Sequence, residues 1–164
     1  MKIVEGDLIK LALEGEFDLI VHGCNCFCTM GAGIAKSIRE YFPEAYKADM
    51  DTVKGAKEKL GSISSVIVNR DNNDITVVNG YTQYSPTGTG ILVDYEAVTS
   101  VFREIKQTYS GYRIGYPMIG AGLAKGDWQV ISGLISEQLS GEDHTLVKLK
   151  KKAVNPNVIN GPCG

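Results

Sequence analysis

Two glycine-rich segments constrain this chain more than any other feature: Gly31-Ala32-Gly33 and Gly120-Ala121-Gly122. Each follows an apolar run and leads into a helical pattern. Glycine lets the backbone turn sharply and bring its N–H groups close to an anion. A helix N-terminus behind it adds donors and a favourable dipole. A strand–glycine loop–helix unit used twice implies an α/β domain whose ligand side lies at the carboxyl ends of its strands.

The rest of the chain follows the same alternation. Lys2 to Val4 reads as a strand and Leu8 to Leu13 as a short helix. Asp18 to His22 is apolar enough for a strand buried on both faces. Ile34, Ile38 and Phe42 recur every four positions on one helical face, which Pro43 closes. A second short helix is expected over Glu44 to Lys54. Ile63 to Asn69 and Ile75 to Asn79 read as strands, joined into a hairpin by Asp71-Asn72-Asn73-Asp74. Gly80 to Gly90 is a loop. Asp94 suits the cap of a helix whose stripe is Tyr95, Val98, Val101, Phe102, Ile105 and Tyr109. Arg113 to Pro117 is a strand. Asp127 opens a helix burying Trp128, Ile131, Leu134, Ile135 and Leu139, and Thr145 to Leu149 is the last strand. The order β-α-β-α-β-β-α-β-α-β predicts a three-layer α/β/α fold over residues 1–150, with a mixed sheet and helices on both faces. Residues 151–164, basic and then rich in Asn, Pro and Gly, read as a mobile tail.

Composition narrows the ligand. The 164 residues suit one core, and 17 basic against 19 acidic residues leave a net charge of −2. That gives no footprint for wrapping nucleic acid, so the ligand is expected to be small or attached to another protein. No apolar run approaches the roughly 20 residues that span a bilayer. The opening MKIVEGDL has no signal-peptide pattern, so a cytoplasmic location and no membrane partner are expected. No pattern suggests a dimer seam, which favours a monomer. Cys24, Cys26 and Cys28 alternate, which is poor geometry for a disulfide ladder, and they lack a C-x2-C pair for zinc. They read as reduced thiols at a buried strand end, with no metal and no cofactor expected.

The familiar nucleotide motifs fail. A P-loop needs glycine where Met30 stands, and Ala35 precedes Lys36-Ser37. The dinucleotide fingerprint needs glycine at Lys36 or at Lys125. One glycine pair alone is also explained by a tight turn. Two pairs, both at strand ends, point to one ligand with two phosphates.

Gly6-Asp7-Leu8, then HGCNCFCTMGAGIA from His22 to Ala35, then PMIGAGLAKGDW from Pro117 to Trp128 together resemble the macrodomain family. The resemblance runs in family order from Met1 to Leu149. HxCNC followed by G-x-G-I-A is nearest the branch holding the yeast ADP-ribose 1''-phosphate phosphatase and the human terminal ADP-ribose glycohydrolase. It implies that Asp7, beside Leu8, accepts from the adenine amino group; Asp7 also suits a helix cap. It implies that Asn25 contacts the distal ribose, although Asn25 suits an Asx turn as well. Gly31, Ala32, Gly33 and Ile34 would lie beside the distal ribose and its phosphate. Gly120, Ala121, Gly122, Leu123 and Ala124 would wrap the diphosphate. His22 matches a histidine of that branch, as a general acid or base with Asn25 beside it, or else as a satisfied core residue.

Two departures stand out. Gln83 occupies the position of a lysine nucleophile, and Ala124 that of its partner aspartate, so a covalent lysine mechanism is not expected. The last strand, Leu146-Val147-Lys148-Leu149, has no aromatic residue for adenine, so Tyr81 or Tyr84 is a candidate to stack on the adenine or the ribose, with an ordinary loop tyrosine the equal alternative for each. His144 is expected in solvent. The resemblance implies binding of ADP-ribose or ADP-ribosylated protein, with water hydrolysing the 1''-linked group through positioning. A non-catalytic reader of ADP-ribose is the alternative, and an unrelated α/β domain for another phosphorylated ligand is a third.

Overall fold

The computed structural model describes residues 1–150. The expected tail 151–164, with Cys163, lies outside the described residues. Six strands form one sheet in the order β1-β6-β5-β2-β4-β3. They are β1 (Lys2–Glu5), β2 (Leu19–Cys24), β3 (Ile63–Arg70), β4 (Asn73–Tyr81), β5 (Ile114–Tyr116) and β6 (His144–Lys148). All neighbours are parallel except the β3–β4 hairpin. Asp71 and Asn72 take left-handed backbone at its turn, as short polar side chains tolerate.

The helices are α1 (Leu8–Leu13), α2 (Gly33–Tyr41), α3 (Pro43–Met50), α4 (Tyr95–Tyr109) and α5 (Trp128–Gln138). Strand alternation assigns them to two cores. Leu19 and Val21 of β2 pack with Val98, Phe102, Ile131 and Ile135 of α4 and α5. Ile20 between them packs with Ile9, Ile38 and Ala45 of α1, α2 and α3. The sheet is thus covered on both sides as expected. Among the described residues, no helix is long and apolar enough to cross a membrane.

Two expectations change. Pro43 does close α2, but it also opens α3, at the first helical position where its missing N–H costs nothing. His144 is buried, because it begins β6 inside the sheet beside β5 and its Nδ1 lies 2.8 Å from the Tyr116 hydroxyl. Asp94 caps α4 as expected, with Oδ1 accepting from the Ala97 N–H at 2.9 Å. Asp94→Ala removes that acceptor and should cost about 1 kcal/mol of stability in a urea titration.

Candidate functional site

β2 sits mid-sheet between β5 and β4, so its carboxyl end opens between the loops that follow those two strands. After Cys24 the chain leaves the extended path. The Phe27 N–H donates to Asn25 Oδ1 at 2.8 Å, an Asx turn, while Asn25 Nδ2 donates to Thr29 Oγ1 at 2.7 Å. Cys28 and Met30 then adopt left-handed backbone, uncommon for side chains of this kind. Cys28 is tied down by its thiol, which donates to the Asp49 carbonyl at 3.2 Å. Gly33, also left-handed, starts α2. Its cap residue Ala32 makes no side-chain bond, which leaves the first N–H groups of α2 without a side-chain cap.

The second loop folds on itself. The Gly126 N–H donates to the Gly120 carbonyl at 2.7 Å, and the Lys125 N–H donates to the Gly122 carbonyl at 3.0 Å. It is stitched to the chain before α4, where the Leu92 N–H donates to the Ala124 carbonyl at 2.8 Å. Asp127 caps α5 through the Gln129 N–H at 2.9 Å.

Between the two loops lies a cavity of about 620 Å³. Of the residues singled out from the sequence, Asn25, Gly31, Ala32, Gly33, Ile34, Gly120, Gly122, Leu123 and Ala124 line it. Ala121 does not. Asp7 borders a separate, shallower depression with Leu149. Asp7 Oδ1 takes both cap bonds of α1, from the N–H groups of Ile9 and Lys10 at 2.9 and 3.1 Å. Leu8 is buried in the α1 core.

His22 is fully buried below this cavity's lining. Its Nε2 lies 2.7 Å from Asn79 Oδ1. Asn79 spends its amide donors on the Ala45 carbonyl and Ser64 Oγ, so its oxygen must accept and His22 Nε2 must carry the proton. Burial pulls the imidazole pKa down to about 4, against the opposing Asn79 bond, so the ring is neutral at pH 7. The Cys24 thiol, 3.5 Å from Nε2 and 3.7 Å from Nδ1, stands over the ring and does line the cavity. Burial pushes that thiol's pKa well up, which makes it a poor nucleophile.

A third wall, Thr82, Gln83, Pro86 and Thr87, comes from the loop after β4. Its signal was the Gly80–Gly90 loop composition at the end of a strand. Gln83 is on this wall, with its amide donating to the Ser85 carbonyl at 2.9 Å. The stacking role expected of Tyr81 or Tyr84 is overturned. Tyr81 is buried with its hydroxyl on Asp49, because β4 runs two residues past Asn79. Tyr84 packs edge-on against Phe27 and donates to the Gly55 carbonyl at 2.7 Å. Neither side chain is among the cavity lining. Asp49, which is, had no sequence signal. Cys24, Cys26 and Cys28 are free and buried.

No protein-family profile matches the chain. It is 35% identical over 140 residues to the uncharacterized 17.5 kDa protein of the tk-vs intergenic region of Enterobacteria phage T4, covering 82% of this chain and 87% of that one. Among solved structures, it is similar to Thermosipho africanus DarTG in complex with ADP-ribose, with TM-score 0.69 and 19% identity. That match covers 95% of this chain and 43% of the larger one. The macrodomain of Mycobacterium tuberculosis DarG matches with TM-score 0.66 and 18% identity, over 92% of this chain and 97% of that one. The chain therefore has the macrodomain fold and belongs to the family of the phage T4 17.5 kDa protein.

Proposed function

We propose that this chain binds ADP-ribose in the cavity between its two glycine-rich loops and hydrolyses the group linked at the 1'' position. One observation carries the reading: both loops meet in one cavity at the carboxyl ends of parallel strands, in the fold of a protein solved with ADP-ribose bound. Loop N–H groups and the start of α2 suit the diphosphate. Asn25 suits the distal ribose. Water adds to the linked phosphate or acyl group, which leaves with one oxygen from that water and frees the ribose hydroxyl. The enzyme's part is to hold the linkage in a mostly apolar site. His22, neutral and walled off by Cys24, acts as a positioning residue that fixes the end of β2.

Calorimetric titration with ADP-ribose, against AMP and GDP-ribose, tests binding. Asp7→Asn keeps the capping oxygen but replaces the other with a donor. In this reading the adenine reaches the depression that Asp7 borders, so the change should erase most of the preference for ADP-ribose over GDP-ribose, about tenfold for one charge-assisted bond. Turnover is then assayed with ADP-ribose 1''-phosphate and with mono-ADP-ribosylated protein. Absence of ADP-ribose binding would overturn the reading; binding without turnover of either would leave a reader of ADP-ribose.

A further inference from the structure

Beneath the first loop the His22–Asn79 bond continues into a buried polar chain, and beyond Asn79 the proposed function does not use it. His22 Nε2 donates to Asn79 Oδ1, and Asn79 Nδ2 donates to Ser64 Oγ at 3.0 Å. Ser64 Oγ lies 2.8 Å from the Tyr81 hydroxyl, which donates to Asp49 Oδ1 at 2.7 Å. The Tyr81 hydroxyl proton is donated to Asp49, so Ser64 must donate to Tyr81. From Asn79 onward every donor points the same way, and the chain ends on one oxygen of Asp49. Aligned donors of this kind reinforce one another.

The other oxygen is different. Asp49 is 99% buried by its 1% exposure, yet it is one of the residues lining the cavity. Its carbonyl takes the Cys28 thiol and the Thr52 hydroxyl. Its Oδ2 is the buried side-chain atom without a hydrogen-bond partner among the described residues. Lys59 is nearby and buried, but its ammonium donates to the Cys26 carbonyl at 3.1 Å and to Cys28 Sγ at 3.4 Å, over the Tyr81 ring, rather than to the carboxylate. A buried acceptor left open costs free energy until a donor meets it.

We infer that Asp49 is a ligand-binding residue, whose Oδ2 accepts a hydrogen bond from a hydroxyl of the ligand's distal sugar. This rests on the ADP-ribose reading above. The diphosphate of ADP-ribose, esterified at both ends, offers no donor at neutral pH and is repelled by a carboxylate, whereas a sugar hydroxyl donates. The Cys28 bond ties Asp49 to the loop that carries Asn25, so both would serve the same end of the ligand. The cavity would then divide by chemistry. Backbone N–H groups of the glycine loops take the anionic middle, and one carboxylate selects a hydroxylated end.

The test compares ADP-ribose with ADP, which lacks the distal sugar, by calorimetry. Asp49→Asn keeps an acceptor for Tyr81 and offers a donor in place of Oδ2. It should weaken ADP-ribose about tenfold and leave ADP within about twofold, since one bond to a charged group is lost. Equal weakening of both ligands, or none, would overturn the inference. If Asp49→Asn fails to fold, Tyr81→Phe retains the ring over Lys59 and removes the hydroxyl that joins Ser64 to the carboxylate. It should weaken ADP-ribose about threefold more than ADP, and equal weakening of the two overturns the inference. A wild-type protein with no preference for ADP-ribose over ADP would instead remove the functional reading itself.

Discussion

Adding one methyl group at Gly126 should cost about 3 kcal/mol or more of stability and abolish ligand binding with it. A Cβ built there falls 2.5 Å from Val93 Cγ1, 2.8 Å from Ile131 Cδ1 and 2.6 Å from the Gly120 carbonyl oxygen. Val93 and Ile131 are both core residues, and the carbonyl is fixed by the bond it accepts from Gly126 itself. Overpacking against one yielding side chain costs about 1–3 kcal/mol; here a backbone atom must move as well, which sets the upper end. Relief would require the second loop to swing away from β5 and spoil the cavity wall. Gly122→Ala is the control within the same loop. Its Cβ meets nothing within 4 Å, so it should lie within about 0.5 kcal/mol of wild type. Urea titration of the two variants decides: equal midpoints would mean that the loop adjusts freely.

Acid should weaken the fold well before its carboxylates titrate. His22 is neutral in the folded state, with a pKa drawn from 6.5 to about 4 by burial. The unfolded chain therefore binds the extra proton between those values, and stability falls as pH falls through that window. At about 1.4 kcal/mol per pH unit for one proton, the full effect is about 3 kcal/mol. His144, also lowered by burial, acts in the same direction. Asp49 acts in the opposite direction above its ordinary carboxyl range, since burial raises its pKa despite the Tyr81 bond and the Lys59 charge. Urea midpoints between pH 7 and 5 read the net slope, and substitution assigns it. His22→Asn should flatten that slope; an unchanged slope would show that His22 does not carry it.

Much of the architecture was legible because its signals are periodic or local. The stripe from Tyr95 to Tyr109 became α4, and Asp71-Asn72 became the hairpin turn. The two glycine segments were legible as one site because strand–loop–helix units place their loops at the same sheet edge. What escaped depends on strand length and on partners distant in sequence. Two more residues on β4 turn Tyr81 from a loop aromatic into a core residue. His144 is buried because β5 happens to pair beside it. Asp49 sits on a helix without periodic emphasis, and its partner Tyr81 is 32 positions away. Asn25 forms the expected Asx turn and also lines the cavity.

The pairing of Lys2 with Thr145 also bears on how the molecule assembles. Among the described residues β1 has no neighbour but β6, and β2 waits for β4 and β5. The one pairing available early is the β3–β4 hairpin. As the chain emerges from a ribosome, β1 can be seated only once β6 has been made, after nearly the whole domain has appeared. Such distant pairings slow folding relative to a helical bundle of this size. The edge bearing Asp7 is therefore completed last, and slow conditions or early termination should leave that edge open while the hairpin is already formed.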